Sequence, residues 1–123
     1  MRYVDGYVIV IPNKNLAKYK KMAKEGGAAW MKHGALQYVE SVADDMAVAK
    51  AWGGLMFTEM TKAKKGETVV FSFIVYKSRK HRDAVNKKVY AQMAKDYDAE
   101  KDKDMPFAMD RVAIGGFETI VDL

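Results

Sequence analysis

The segment Thr68-Val69-Val70-Phe71-Ser72-Phe73-Ile74-Val75-Tyr76 constrains this chain more than any other. Apart from Ser72, it consists of β-branched and aromatic residues, which suit a strand. Both of its alternating faces are apolar, which predicts a central strand covered on both sides. Such a strand needs neighbours, and the sequence offers them. Arg2 to Ile11 is rich in Tyr, Val and Ile and ends at Pro12. Leu36 to Val42 alternates, with Leu36, Tyr38, Glu40 and Val42 on one face and Gln37, Val39 and Ser41 on the other. Leu55 to Met60 reads as a short strand turned by Lys64-Lys65-Gly66 into the central one. Arg111 to Val121 reads as a final strand in which Gly115-Gly116 signals a bulge or a close backbone approach.

Two helices separate these strands. After Pro12, Asn13 or Asn15 can cap a helix in which Leu16, Tyr19, Ala23, Gly27 and Trp30 recur at three- and four-residue steps. Lys14, Lys18, Lys21, Lys24 and Lys32 occupy its other faces, and Gly34 ends it. Gly26-Gly27 inside the helix costs roughly 1 kcal/mol per glycine relative to alanine. Close packing on a sheet, a ligand against the helix, or a helix break would each account for that cost. Ser78 can cap a second helix running to about Lys95, with Val85, Val89 and Met93 as its apolar stripe. The charged stretch Asp96 to Asp104 reads as a loop.

The resulting order is strand, helix, strand, strand, helix, strand, with an extra hairpin arm in the middle. That is an α+β chain of the ferredoxin-like βαββαβ sandwich type. Its 123 residues fit a single domain, 1–123. Tyr3, Tyr7, Tyr38, Val70, Ile74 and Tyr76 are expected on the sheet face away from the helices. Phe71 and Phe73, sharing a face with Val69 and Val75, are expected beneath the helices. An aromatic face left open in this way calls for a second sheet, giving a homodimer, or presents flat rings to nucleic-acid bases.

Composition narrows the chemistry. The chain has no cysteine, which removes thiolate nucleophiles, disulfides and cysteine-bearing metal sites. With only His33 and His81, a multi-histidine metal site in one chain is not expected either, and no cofactor is expected. No run is long and apolar enough for a signal peptide or a membrane span, which suits a cytoplasmic protein. Net charge is +5 and the pI about 9.3, so anionic partners need weighing. Between residues 77 and 88, Lys77, Arg79, Lys80, Arg82, Lys87 and Lys88 face one acid, Asp83. The aromatic–small–aromatic signature of an RNA-recognition module is missing after Lys65-Gly66, which argues against nucleic acid and for a solvated basic face.

Several segments carry a family resemblance. They are Tyr3-Val4-Asp5-Gly6, His33-Gly34-Ala35-Leu36, Glu67 to Tyr76, Ser78-Arg79, His81-Arg82-Asp83-Ala84-Val85-Asn86, Met105-Pro106-Phe107 and Gly115-Gly116-Phe117-Glu118. Together they resemble the YbaA-like bacterial family, domain of unknown function 1428, nearly end to end. The resemblance implies the dimeric α/β-barrel arrangement, in which two ferredoxin-like sheets pack face to face. This chain departs from the pattern after Phe107, where Ala108-Met109-Asp110-Arg111 displaces the family's acidic residue. It also departs in the Met- and Ala-rich stretch from Met46 to Met60.

Candidate site residues follow from side-chain chemistry. His33, at a helix C-terminus, is favoured there by the macrodipole or bonds a terminal carbonyl, with a pocket role as the alternative. His81, in a helix first turn, is expected as a neutral imidazole, either satisfied in the core or acting as a general base. Arg79 and Arg82 form either a solvated ion-pair surface or a clamp for a carboxylate or phosphate. Asp5 and Glu40 are expected on the inner sheet face with Tyr7, Tyr38 and Tyr76. There they would act as a polar network fixing dimer register or as an acid–base pair, with Arg111 or a tyrosine hydroxyl as partner. Trp30, Tyr38, Phe73, Tyr76, Arg79, Arg82 and Asn86 are the ligand-contact candidates, for a small anionic or aromatic ligand. Three functions follow: a homodimeric small-ligand binding or regulatory module, a cofactor-independent monooxygenase- or isomerase-like enzyme on a small organic substrate, and RNA binding.

Overall fold

The apolar run forms β3 (Glu67–Tyr76), which lies between β1 (Tyr3–Pro12) and β2 (Gln37–Val42) in a four-stranded antiparallel sheet. The fourth strand, β4 (Val112–Glu118), pairs with the far side of β1, giving the order β2-β3-β1-β4. These features come from a computed structural model that describes residues 1–100 and 103–123. The register sets Tyr7 between Ser72 and Ile114, and Glu40 opposite Ser72, so these four positions form one row across the sheet.

Two long helices, α1 (Leu16–Lys32) and α4 (Arg79–Asp96), cover one face of the sheet. Pro12 ends β1 and a single 3-10 turn, Asn13–Asn15, leads into α1. Asn15 stands at the cap position, but its side-chain amide donates to Pro106 O at 3.0 Å instead of capping the helix. Gly34 follows α1 at φ +112°, a conformation that a side chain strains. Ser78 caps α4 as its sequence position predicts, accepting from the His81 backbone N–H at 3.1 Å. The arrangement is an α+β fold of ferredoxin-like βαββαβ type.

The two sheet faces are the reverse of the sequence expectation. Ile74 and Tyr76 pack with Ala29, Val85 and Val89, and Val70 packs with Ile9, Ile11, Tyr19 and Ala23, all beneath the helices. Tyr3, Tyr7 and Tyr38 pack against the same layer. Phe71 and Phe73 therefore point the other way, with Val4, Val8, Val39 and Phe117 on the uncovered face. Phe71 is 46% exposed and Phe117 60% exposed, whereas Val69 and Val75 on the same face are buried, so β3 is covered fully on the helix side and only in part on the other. A period-two strand with apolar residues at both parities does not say which parity meets the helices.

Two further expectations fail locally. Leu55 to Met60 does not form a hairpin strand; the middle segment folds into two four-residue helices, α2 (Val48–Ala51) and α3 (Phe57–Met60). The Glu59 carboxylate accepts the Met56 backbone N–H at 3.1 Å and holds the start of α3 helical. The Phe57 ring meets Phe71 edge-on, 6.3 Å between centroids, so this arm rests on the uncovered face. β4 pairs in regular register from Val112 to Glu118 with no bulge and stops short of Val121. Its Gly116 instead provides a close approach, because the Tyr3 ring and hydroxyl occupy the space a Cβ would need. Part of the expected 96–104 loop, residues 101 and 102, lies outside the described residues.

Candidate functional site

A cavity of about 620 Å³ lies between the helices and the sheet. Its floor includes Tyr7, Tyr38, Glu40, Ser72 and Ile74. One wall comes from Tyr19, Gly26 and Trp30 of α1, and another from Gln92 and Met93 of α4. The loop residue Phe107 closes one end and meets Tyr19 edge-on, 5.8 Å between centroids. A second hollow of about 740 Å³ runs under the other flank of α1 and shares Tyr19, Ala23, Tyr38 and Glu40 with the first.

Glu40 organises this wall. Its Oε2 accepts the Tyr19 hydroxyl and its Oε1 accepts the Tyr38 hydroxyl, each at 2.7 Å. Two residues apart on β2, Tyr38 and Glu40 point to the same side of the strand. Tyr19 descends from α1, where its place in the apolar stripe carries it toward the sheet. Among the described residues no cation comes within ion-pair distance of Glu40. Burial, followed by the hydrogen bond to Glu40, drives the Tyr19 and Tyr38 phenols far above their ordinary range. Burial and then the Asp5 charge do the same to Tyr7. All three phenols therefore stay protonated as neutral donors, and among the described residues the Tyr7 hydroxyl has no hydrogen-bond partner. The Trp30 indole stacks on Tyr38, with centroids 6.0 Å apart and planes at 30°.

A second polar network lies next to this cavity. Asp5, with a side chain only 4% exposed, accepts Arg82 Nη1 at 2.9 Å. Asn86 Oδ1 accepts both the Trp30 indole N–H and the Tyr76 hydroxyl at 3.0 Å, while its amide reaches Asp5 at 3.5 Å. The Arg82 guanidinium also lies over the Tyr3 ring, 4.9 Å from its centroid. This network joins α1, α4, β1 and β3 and fixes the indole that walls the cavity.

The candidate residues thus divide into groups. Glu40, Tyr38 and Trp30 come together at the cavity. Asp5, Tyr76, Arg82 and Asn86 meet in the adjoining network and do not line it. Asp5 and Glu40 do share a face, but it is the helix-covered one, so they cannot fix the register of a second sheet. Arg111 serves neither of them; it binds Glu67, with Nη2 at 3.2 Å from Oε1. Phe73 lies on the opposite face of the sheet. Arg79 is exposed and makes no ion pair among the described residues, and Arg82 is already engaged by Asp5, so no anion clamp forms between them.

Neither histidine lines the cavity. His33 stands at the end of α1 and its Nε2 donates to Gln92 Oε1 at 2.6 Å. His81 Nδ1 accepts the Lys77 backbone N–H at 2.9 Å, which leaves Nε2 as the site of the ring proton. Among the described residues no cluster of three or more His, Cys, Asp or Glu is arranged to hold a metal ion. No helix among them is long and apolar enough to cross a membrane.

Tyr19 is the site residue that sequence reasoning missed. It read as one member of an apolar stripe, yet a tyrosine on a buried stripe needs a partner for its hydroxyl. The carboxylate on the neighbouring strand, Glu40, was the available signal.

A family described as "Protein of unknown function (DUF1428)" matches residues 2–109. The chain belongs to the DUF1428 family. The "Uncharacterized protein YbaA" of Escherichia coli K12 is 38% identical to it over 122 residues, covering 99% of each chain. The protein of the same description from Shigella flexneri matches with the same identity and coverage. Among solved structures, the "De novo designed protein Foldit4" aligns with a TM-score of 0.49 at 10% identity, covering 97% of this chain and 99% of its own. The DUF1428 match takes in Glu40, Tyr19, Tyr38 and Trp30 and ends before β4.

Proposed function

We propose that this DUF1428 protein is a homodimeric small-ligand binding or regulatory module whose ligand enters the cavity between helices and sheet. The observation that carries this reading is the cavity of about 620 Å³, in which aromatic walls converge on the Glu40 carboxylate. Cavities of roughly 300–1,000 Å³, mostly apolar with a few placed polar groups, are the usual size and character of small-molecule sites. Of the two ligand chemistries considered, aromatic is the better supported. An anion would face Glu25, Glu40 and Asp96, with no lysine, arginine or histidine among the described residues of the lining.

The experiment is a thermal-shift screen of small aromatic fragments on the full chain and on Gly26→Leu, which places a branched side chain into the cavity. A ligand that binds the native state raises the melting temperature, and does so further as its concentration rises above its Kd. Fragments that stabilise the parent chain and lose their effect in Gly26→Leu support the reading. A screen with no stabilising fragment, or with hits indifferent to Gly26→Leu, overturns it.

Dimerisation rests on the other face. Val4, Val8, Val39, Phe71, Phe73 and Phe117 make an apolar surface there, without a single Lys or Arg at the outward strand positions. RNA binding through such a sheet needs cations for phosphate as well as rings for bases. The composition of the face therefore favours a second copy of the sheet over nucleic acid.

A further inference from the structure

We propose that the cavity selects organic cations, specifically aromatic ammonium compounds, over neutral and anionic ligands of the same shape. This rests on the ligand-binding reading above and adds the charge of the ligand. Three features of the lining support it. The first is sign: among the described residues Glu25, Glu40 and Asp96 line the cavity and no basic side chain does. The second is an unbalanced charge. Glu40 is half-buried, and its two oxygens each accept one neutral phenol but no cation. A carboxylate has about four lone-pair positions, so two accepted bonds leave room for a further donor or an adjacent positive group. This half-buried carboxylate has no ion-pair partner among the described residues, and an entering ammonium supplies one.

The third feature is the set of rings. Trp30 and Tyr38 stack side by side, and Tyr7 and Tyr19 complete an aromatic wall around Glu40. Indole and phenol faces carry partial negative charge and attract cations, most strongly where water is excluded. The phenols that donate to Glu40 cannot give up their protons near neutral pH, so the rings remain neutral while the carboxylate supplies the charge. The unpartnered Tyr7 hydroxyl adds one free polar group for the ligand's remaining substituents.

The test uses the full chain carrying Trp52→Phe. Trp52 is 87% exposed, and its removal leaves the cavity indole of Trp30 as the only tryptophan. Trp30 emission is titrated with benzyltrimethylammonium, with its neutral isostere neopentylbenzene, and with benzoate. The expected result is saturable change with the cation at a Kd at least tenfold below that of the neutral compound, and no saturation with benzoate. In Glu40→Gln the cation's advantage is expected to fall below threefold. Should Glu40→Gln fail to fold, the cation-to-neutral ratio in the parent chain decides. Equal affinity for cation and neutral isostere overturns the charge preference and leaves the ligand-binding reading standing. A tenfold preference that persists in folded Glu40→Gln overturns the assignment to Glu40. Silence with all three probes overturns the cation inference, while the ligand-binding reading is decided separately by the fragment screen.

Discussion

The Tyr38 ring stands where a Cβ on Gly27 would go. An ideal Cβ at that position lies 2.6 Å from both Cδ1 and Cε1 of the ring. The ring cannot simply swing away, because its hydroxyl is bound to Glu40 and its face is stacked on Trp30. Gly26, one residue earlier, is different: a Cβ there meets Trp30 Cζ3 at 3.7 Å, an ordinary contact. Gly26→Ala is therefore expected to stabilise the chain by up to about 1 kcal/mol through helix propensity. Gly27→Ala is expected to destabilise it by about 1–3 kcal/mol despite the same propensity gain. Urea midpoints with unchanged slopes would measure both, and equal effects at the two glycines would contradict the account.

Arg82 neutralises a carboxylate that is almost fully buried. Arg82→Met leaves Asp5 without its 2.9 Å partner and is expected to cost about 3–5 kcal/mol. Adding Asp5→Asn should recover part of that loss, because the unpaired charge is then gone. A double-mutant cycle in urea measures the coupling, and strictly additive effects would show that the pair is not energetically linked.

Alkaline titration reads the buried phenols directly. Burial, with help from Glu40 and Asp5, raises Tyr7, Tyr19, Tyr38 and Tyr76 well above the ordinary value of about 10. In the unfolded chain the same phenols ionise at that ordinary value. Their contribution to stability is therefore complete below pH about 10 and is lost as pH rises beyond it. Absorbance at the phenolate band should show a fraction of the seven tyrosines ionising only as the protein unfolds. The loss of stability above pH 10 should be shallower in Tyr19→Phe and Tyr38→Phe.

Much of this architecture was legible in the sequence, and the failures have physical causes. β3 declared itself by β-branched and aromatic density, α1 by its three-and-four spacing, and α4 by Ser78 at its start. The orientation of the sheet was not legible. Ile74 and Phe73 are equally apolar, and only contact with Val85 and Val89 decides which of them turns inward. The Leu55–Met60 segment misled because six mixed apolar residues carry no period. Glu59, bound to the Met56 backbone, decided the local structure. For the cavity, Trp30, Tyr38 and Glu40 were named from side-chain chemistry, but Tyr38 and Glu40 were expected on the face away from the helices, and it is the reversed sheet that brings them to Trp30. Tyr19 was hidden by its role in an apolar stripe. The histidines drew attention by their rarity, yet His33 is held by Gln92 of α4 and His81 by the Lys77 backbone N–H.

Sedimentation velocity at micromolar concentration addresses the uncovered sheet face. The parent chain is expected to sediment as a dimer, and Phe71→Glu or Phe117→Glu as a monomer, since either places a charge within an apolar surface. A monomeric parent chain would contradict the proposed pairing.

The central claim is that small ligands enter on the helix side of the sheet. Amide and indole chemical-shift mapping tests it most directly, using the fragment that raises the melting temperature most. The account predicts shifts concentrated at Gly26, the Trp30 indole N–H, Tyr38, Glu40 and Ser72. Shifts confined to Val4, Val8, Phe73 and Phe117 would place the ligand on the opposite face and contradict it.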